Sequence, residues 1–475
     1  MPIKTHSPEI SVVLTKTIER QQGVSERYKD LPRELQLSPY LGESGSVVTH
    51  KSKREGSGTF TLTLTTEAVD NAGDSLYGLI EPMDHVEIRM AHDGYKSAGD
   101  ALPIVMRGFV SRISISEGMN DDGTPHRQVV VTGHDYGKLL ERFQIFFEKN
   151  YLTGLDVLTQ FKQFINYGVE YRSMEASEFI SVIIENIVTP FLSEIGFVNF
   201  DIEDIQVDAT VRKGVVAPHG AAGAEGTLWS VMKRFSDLYW NELFIEDRED
   251  GVFIVYRPMP LKDLQGKLIL DDAVDPGSVR ITNDDIISRD LSRSDDQVAN
   301  YYWVVSTRND LHNPGALRIK SIQGGAESYF LQTYPNSALS IYGLRKMEVD
   351  TDQDSTSQVT QGRNLPAAEA KKASELTTSW VTDRREDLIK MNRDNVVYED
   401  GSLTLKGNER VRAGIYLLID YGAYIAEYYV VSVEQKFEPF RRFVTVAQVE
   451  RGTGFLERSQ QQAPYLDEHK TGVYR

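Results

Sequence analysis

Strict alternation of apolar and polar residues marks the early part of the chain. In GSGTFTLTLT (57–66), Phe60, Leu62 and Leu64 fall on one side and Thr61, Thr63 and Thr65 on the other, the pattern of a half-buried antiparallel strand. DHVEIRM repeats it, with Val86, Ile88 and Met90 against His85, Glu87 and Arg89. GFVSRISIS (108–116) and RQVVVTG (127–133) follow, separated by the turn-rich GMNDDGTP. Several short strands at this spacing, with little helix between them, predict a small barrel or sandwich. The polar stretch at 16–45 is too long for a hairpin loop and reads as an insertion.

From residue 150 the period changes. Leu155, Leu158, Phe161 and Ile165 have helical spacing, and EFISVIIENIVTPFLSEIG predicts a buried helix ending near Pro190. In TLWSVMKRFSDLYW, Leu228, Val231, Met232, Phe235, Leu238 and Tyr239 form one helical face. ELFIED and GVFIVYR read as strands joined by an acidic turn at Arg248, Glu249 and Asp250. This middle region is therefore α/β.

The C-terminal part opens on SRSDDQVANYYWVVST (292–307), where charges crowd Arg293, Asp295 and Asp296 before the strand-prone Tyr301-Tyr302-Trp303-Val304-Val305. A loop-rich tract follows, then a helical stretch, AAEAKKASELTTSWVTDRREDLIKM, and then three more alternating strands. Those last strands, RAGIYLLID, EYYVVSVEQKF and RRFVTVAQVERG, repeat the organisation of DHVEIRM, GFVSRISIS and RQVVVTGHD. In both sets the third strand begins with Arg and ends near Gly. The pattern suggests two similar barrels at the two ends of the chain; unrelated meanders would also produce it.

The expected fold is α+β and β-rich, with two similar antiparallel β-barrel domains flanking an α/β middle domain. The first barrel spans 1–145, the middle domain 146–275 and the second barrel 276–455, with an insertion at about 310–395 and a polar tail at 456–475.

Composition narrows the chemistry. The 475 residues carry a net charge of −18, so no general field draws in nucleic acid or an anionic membrane. There are no cysteines, which excludes disulfides, thiolate nucleophiles and Cys-ligated metal. No apolar run has signal-peptide or bilayer-spanning length, and a soluble chain made in the cytoplasm is expected. The nine histidines are scattered, with no HExxH or close ligand cluster, and no GxSxG occurs. HGAAGAEGTLW (219–229) lacks the P-loop lysine and reads as a connection rather than a phosphate cradle. Carboxylate pairs such as Asp295/Asp296 and Asp271/Asp272 follow from 70 acidic residues. His134-Asp135 could be an acid–base pair, but the following GKLLERF favours Asp135 as a helix N-cap. No cofactor or metal site and no catalytic residue is expected.

Three stretches in order carry a resemblance: DHVEIRM, GFVSRISIS and VVVTGHDYGKLLERF; then SRDLSRSDDQVANYYWVV; then ERVRAGIYLLID, EYYVVSVEQKF and FVTVAQVERGTGF. Together they resemble the baseplate hub proteins of contractile phage tails, of the late-control D type, over about half the chain. The resemblance implies a homotrimer in which two barrels per chain form a pseudo-sixfold ring, lying between a hexameric tail tube protein and a trimeric central spike protein. Baseplate wedge and tape-measure proteins would be further partners. DNA would pass the lumen without specific binding, in the virion tail and away from any membrane. Under this reading Arg293, Asp295, Asp296 and Trp303 belong to a structural or intersubunit corner, not an active site. Two rivals remain at this stage. One is the hub portion of a type VI secretion or pyocin-like machine, though the spike-bearing form would add short β-helix repeats that this sequence does not contain. The other is a β-rich cell-wall hydrolase or carbohydrate-binding protein.

Overall fold

The computed structural model describes residues 7–17, 34–65, 72–93, 101–119, 123, 125–145, 174–194, 204–216, 226–306, 335–355 and 367–460. The helix expected around 155–165, most of the 16–45 insertion, the glycine-rich start of 219–229 and the end of the tail lie outside them.

The N-terminal unit contains strands β1 (Glu9–Thr15), β2 (Glu34–Gln36), β3 (Ser46–Ser52), β4 (Thr59–Thr65), β5 (His85–Ala91), β6 (Ile104–Met119) and β7 (Pro125–Asp135), with helix α1 (Ala72–Leu79) between β4 and β5. Alternation places them as expected. Phe60, Leu62 and Leu64 of β4 and Val86, Ile88 and Met90 of β5 are buried in one core.

The middle region begins with α2 (Gly137–Arg142) and the two-residue strands β8 (Gln144–Ile145) and β9 (Met174–Glu175). Helix α3 (Ala176–Ile183) does not stop at Pro190. It runs through a π-helical turn at Ile184–Val188 into α4 (Thr189–Glu194). Pro190 is the second residue of α4 and directly follows the π-helical turn, so the helix passes through it instead of ending. Strands β10 (Ile205–Ala209), β11 (Val215–Val216) and β12 (Gly226–Thr227) lead to α5 (Leu228–Phe235), β13 (Asn241–Arg248) and β14 (Gly251–Pro258). The helix expected to reach Tyr239 ends at Phe235. Asp237 has a positive φ, and Tyr239 points to solvent while Trp240 is buried. β10, β14 and β13 form a mixed three-stranded sheet.

The C-terminal unit comprises β15 (Ser278–Thr282), β16 (Ile286–Ser292), β17 (Tyr301–Ser306), α6 (Leu339–Tyr342), β18 (Lys346–Thr351), α7 (Ala367–Asn392), β19 (Glu399–Lys406), β20 (Tyr416–Asp420), β21 (Ile425–Glu438), β22 (Arg442–Gly452) and α8 (Gly454–Gln460). The stretch YYWVVS does not open the second β unit: β15 and β16 do. β17 leaves the main sheet, pairs in parallel with β18, and buries Tyr302 and Val304 in a cluster with Leu388 and Met391 of α7. No described helix is long and apolar enough to cross a membrane.

The two terminal units share one 13-stranded sheet, and no closed barrel is formed among the described residues. Within it the strand order is β3-β4-β7-β6-β5-β1 in the first unit and β16-β19-β22-β21-β20-β15 in the second. Taken in chain order, the six strands of each unit occupy the same places. One pairing differs in direction: β1 is antiparallel to β5, whereas β15 is parallel to β20. Both long strands, β6 and β21, carry a bulge where they pair with the following strand, between Val110 and Arg112 and between Val430 and Ser432.

β21 joins the units. Its first residues, 425–429, pair with β20, and its last, 432–437, pair antiparallel with β3. Phe437 and Phe443, at the far end of the β21–β22 hairpin, are buried in the N-terminal core. Removing each from water contributes about 2–3 kcal/mol, which ties the second unit to the first.

Candidate assembly surface

The charged corner before β17 is solvent-exposed. The Arg293 guanidinium sits 3.4 Å from the centre of the Phe455 ring of α8. Asp295 Oδ2 accepts a hydrogen bond from Arg345 Nη2 at 2.6 Å. The backbone N–H of Asp296 donates to Ser294 Oγ at 2.9 Å. Trp303 is half-buried and its ring is stacked on Tyr301 at 6.4 Å. Arg293 and Asp295 thus make side-chain contacts along the path from β16 to β17, Asp296 contributes its backbone N–H, and Trp303 lies on the outward face of β17.

Asp135 is elsewhere, at the end of β7. Its Oδ1 accepts the N–H of Gly137 at 2.9 Å, in the first turn of α2, whose N-cap residue is Tyr136. Its Oδ2 lies 3.1 Å from Lys51 Nζ. Neighbouring His134 makes no acid–base pair with it. Burial and the nearby Lys138 cation lower the His134 pKa.

Lys51 introduces residues that pattern reading passed over. It is also paired with Asp247 of β13. Burial opposes its charge, but the Asp247 and Asp135 carboxylates outweigh this and raise its pKa. Two residues on, Lys53 Nζ donates to Glu242 Oε1 at 2.8 Å and to Glu450 Oε1 at 2.9 Å. Glu242 also accepts from Arg257 Nε at 3.1 Å and from the Tyr429 hydroxyl at 2.7 Å. Burial penalises the Glu242 carboxylate, yet Lys53 and Arg257 hold its pKa below the usual range. These side chains come from β3, the middle sheet, β21 and β22, so a buried charge network joins all three parts of the chain. Polar residues at alternate strand positions look solvated in sequence, and only the partner positions reveal otherwise.

Two of the open sheet edges belong to β6 and β16. β6 pairs with β5 only as far as Phe109, and no strand among the described residues covers that side of 112–119. β16 pairs only with β19. Residues 287–290 of β16 and 116–119 of β6 are exposed. A third exposed feature is the tip of the β21–β22 hairpin, where Phe440 is 94% accessible at φ 58°. Among the described residues no group of three or more His, Asp or Glu is placed to hold a metal ion. What the arrangement offers is strand edges and buried charge, the means of holding parts together.

No protein-family model matches the sequence. No curated protein matches it in sequence. Solved structures do match. A tail protein from Neisseria meningitidis MC58 aligns at TM-score 0.45 and 10% identity, over 94% of this chain and 97% of that one. The 43 kDa tail protein of prophage MuSo2 from Shewanella oneidensis aligns at 0.42 and 12%, over 93% and 96%. An E. coli type VI secretion component, described as similar to bacteriophage T4 tail proteins, aligns at 0.34 and 6%, over 86% and 74%. The chain is similar to phage tail and baseplate proteins.

Proposed function

We propose that the chain is a structural baseplate hub of a contractile phage tail. Three copies form a ring with two β units per copy, which joins a hexameric tail tube to a trimeric central spike and leaves a passage for DNA and the tape-measure protein. Arg293, Asp295, Asp296, Trp303 and Asp135 act structurally in this reading, and the protein is not an enzyme.

The observation that carries the reading is the repeated strand order, with the two units joined by the β3–β21 pairing. A ring of three chains built this way presents six similar units, so one face can meet a sixfold partner while the chain count stays threefold. The net charge of −18 suits a surface past which a polyanion slides, since like charge keeps it from sticking.

The test is electron microscopy of the purified protein, alone and with candidate spike protein, combined with mass measurement. A threefold particle with six lobes around an open bore supports the hub. A monomer in both preparations overturns it, and turnover of peptidoglycan by that monomer would establish the hydrolase instead.

A further inference from the structure

We infer that copies of this chain join by adding β16 of one copy, antiparallel, to the far half of β6 in the next, with Arg289 opposite Glu117. The inference rests on the ring reading above and gives its intersubunit contact.

The argument starts from the join that already exists within the chain. β3 is the end strand of the first unit, and it docks on the far half of β21. By strand order, the counterpart of β3 is β16 and the counterpart of β21 is β6. Both of these counterparts, β16 and the far half of β6, carry an open edge among the described residues. The second unit thus carries a free edge of the kind that, in the first unit, is already joined. The first unit carries the free acceptor. One kind of contact, made once inside each chain and once between chains, uses both of these edges. It is heterologous, so it closes into a ring or runs on as a filament according to its rotation.

Bulges and pairings fix the register. The matching bulges make Val110 the counterpart of Val430, so Glu117 corresponds to Phe437. Consistently, Glu117 faces Arg127 across its hairpin as Phe437 faces Phe443. Ile113 then corresponds to Val433, and their partners Val131 and Ala447 correspond as well. Val131 is opposite Leu62 and Ala447 opposite Leu403. Leu62 is paired with Val47, and Leu403 with Arg289. Val47 pairs with Phe437 in the existing join, so Arg289 meets Glu117 in the new one. The same count sets Leu291 opposite Ile115 and Ser292 opposite Ser114.

The side chains fit that register. Where the internal join has the apolar Val47 and Phe437, the open edges offer opposite charges, Glu117 being paired with Arg127 at 2.7 Å and Arg289 donating to the Tyr421 hydroxyl at 3.0 Å within each copy. Just past the charged pair, where β16 bulges between Ile286 and Ser288, stand Ile287 and Met119. These are the exposed large apolar side chains of the two edges, 56% and 74% accessible. Polar pairing suits a contact that must stay soluble before assembly, whereas the internal join forms as the chain folds. Open strand edges otherwise invite indiscriminate pairing, and complementary charge selects the correct partner.

The absence of cysteines permits a background-free test on the full chain. Arg289→Cys and Glu117→Cys in one chain should, on mild oxidation, give disulfide-linked dimers and trimers on a denaturing gel, because opposed Cα atoms of paired strands lie within disulfide reach. Moving the second cysteine to Gly118 shifts it to the other face and should abolish linking. As a second readout, Arg289→Glu should weaken assembly about tenfold, and adding Glu117→Arg should restore it. Rings seen by microscopy without Arg289–Glu117 linking, and without charge-swap rescue, overturn this pairing while leaving the hub reading intact. Linked ladders that run beyond trimers into filaments support the pairing and overturn the hub. Monomers at every concentration, with no linking, overturn both.

Discussion

Lys53 and Glu242 meet at 2.8 Å inside the protein, both side chains almost wholly shielded, although 189 residues separate them in sequence. Lys53 also lies 3.9 Å from the centre of the Tyr429 ring. A buried carboxylate with two cations and a tyrosine hydroxyl is satisfied only while every partner stays in place. Glu242→Gln removes the counter-charge of Arg257 and leaves Lys53 with Glu450 as its remaining carboxylate. The expected loss is about 3–5 kcal/mol, read as a lower denaturation midpoint. For comparison, Arg54, two-thirds exposed and paired with Glu450, should cost less than about 1 kcal/mol when replaced by Ala. Equal effects of the two substitutions would show that the network is not a structural junction.

How much of this was legible in sequence depends on the kind of signal. Phe60, Leu62 and Leu64 announce β4 because one face of that strand is wet. β21 was also legible as a strand, but not as the bridge between units, since Tyr428, Tyr429, Val430 and Val431 signal burial on both sides without naming a neighbour. Pro190 misled because a proline that ends a helix and one carried just past a π-helical turn look the same in sequence. YYWVVS was correctly strand-prone, yet its pairing with β18 rests on a contact about forty-five residues away. Lys51, Lys53, Asp247 and Glu242 read as solvated strand positions, because only the tertiary structure brings opposite charges together. The corner residues Arg293 and Asp295 stood out by local charge density, and the open edges of β6 and β16 did not stand out at all. An edge is defined by the strand that is missing.

His85 gives the protein an acid-sensitive point. It begins β5 and is buried against Phe109 and Tyr136, with ring centres 5.6 and 6.0 Å away. Burial lowers its pKa from 6.5 to about 4, and Arg107 adds to this against the pull of Glu87. The folded state therefore keeps the ring neutral at pH values where the unfolded chain has already bound a proton. Stability is lost as pH falls from 6.5 toward 4, by on the order of 3 kcal/mol from this group. His85→Gln does not titrate there. Denaturant melts at pH 7 and pH 4.5 should show a smaller acid loss in the variant than in the parent, and identical losses would refute the assignment.

Phe440 occupies a position suited to glycine. The Arg441 N–H donates to the Glu438 carbonyl at 3.1 Å, and Pro439 precedes Phe440, which has φ 58°. In such a turn a positive φ at the third residue favours glycine, and a bulky residue there is strained. The side chain is 94% exposed, so it recovers little by packing. Phe440→Gly should therefore raise stability by about 1 kcal/mol, seen as a higher melting temperature. An unchanged or lower value would mean that the strain relieved at Phe440 is no larger than the unfolded-state entropy that glycine adds.

Substitution of Arg293 tests folding and assembly separately. Its guanidinium lies over the Phe455 ring at 3.4 Å and the residue is exposed, a cation–π contact worth about 0.5–1 kcal/mol at such a site. Arg293→Ala should thus leave the denaturation midpoint nearly unchanged. Its position is more telling. Arg293 directly follows β16, and the register that sets Arg289 against Glu117 carries it alongside Ile113 of the neighbouring copy. In the internal join the same place is held by Lys51, which is paired with Asp135 and Asp247. If Arg293 serves the contact between chains as Lys51 serves the contact within one, the alanine variant assembles more weakly at unchanged stability. Sedimentation at several concentrations reads this directly. A variant that assembles like the parent confines Arg293 to holding α8 against the loop after β16.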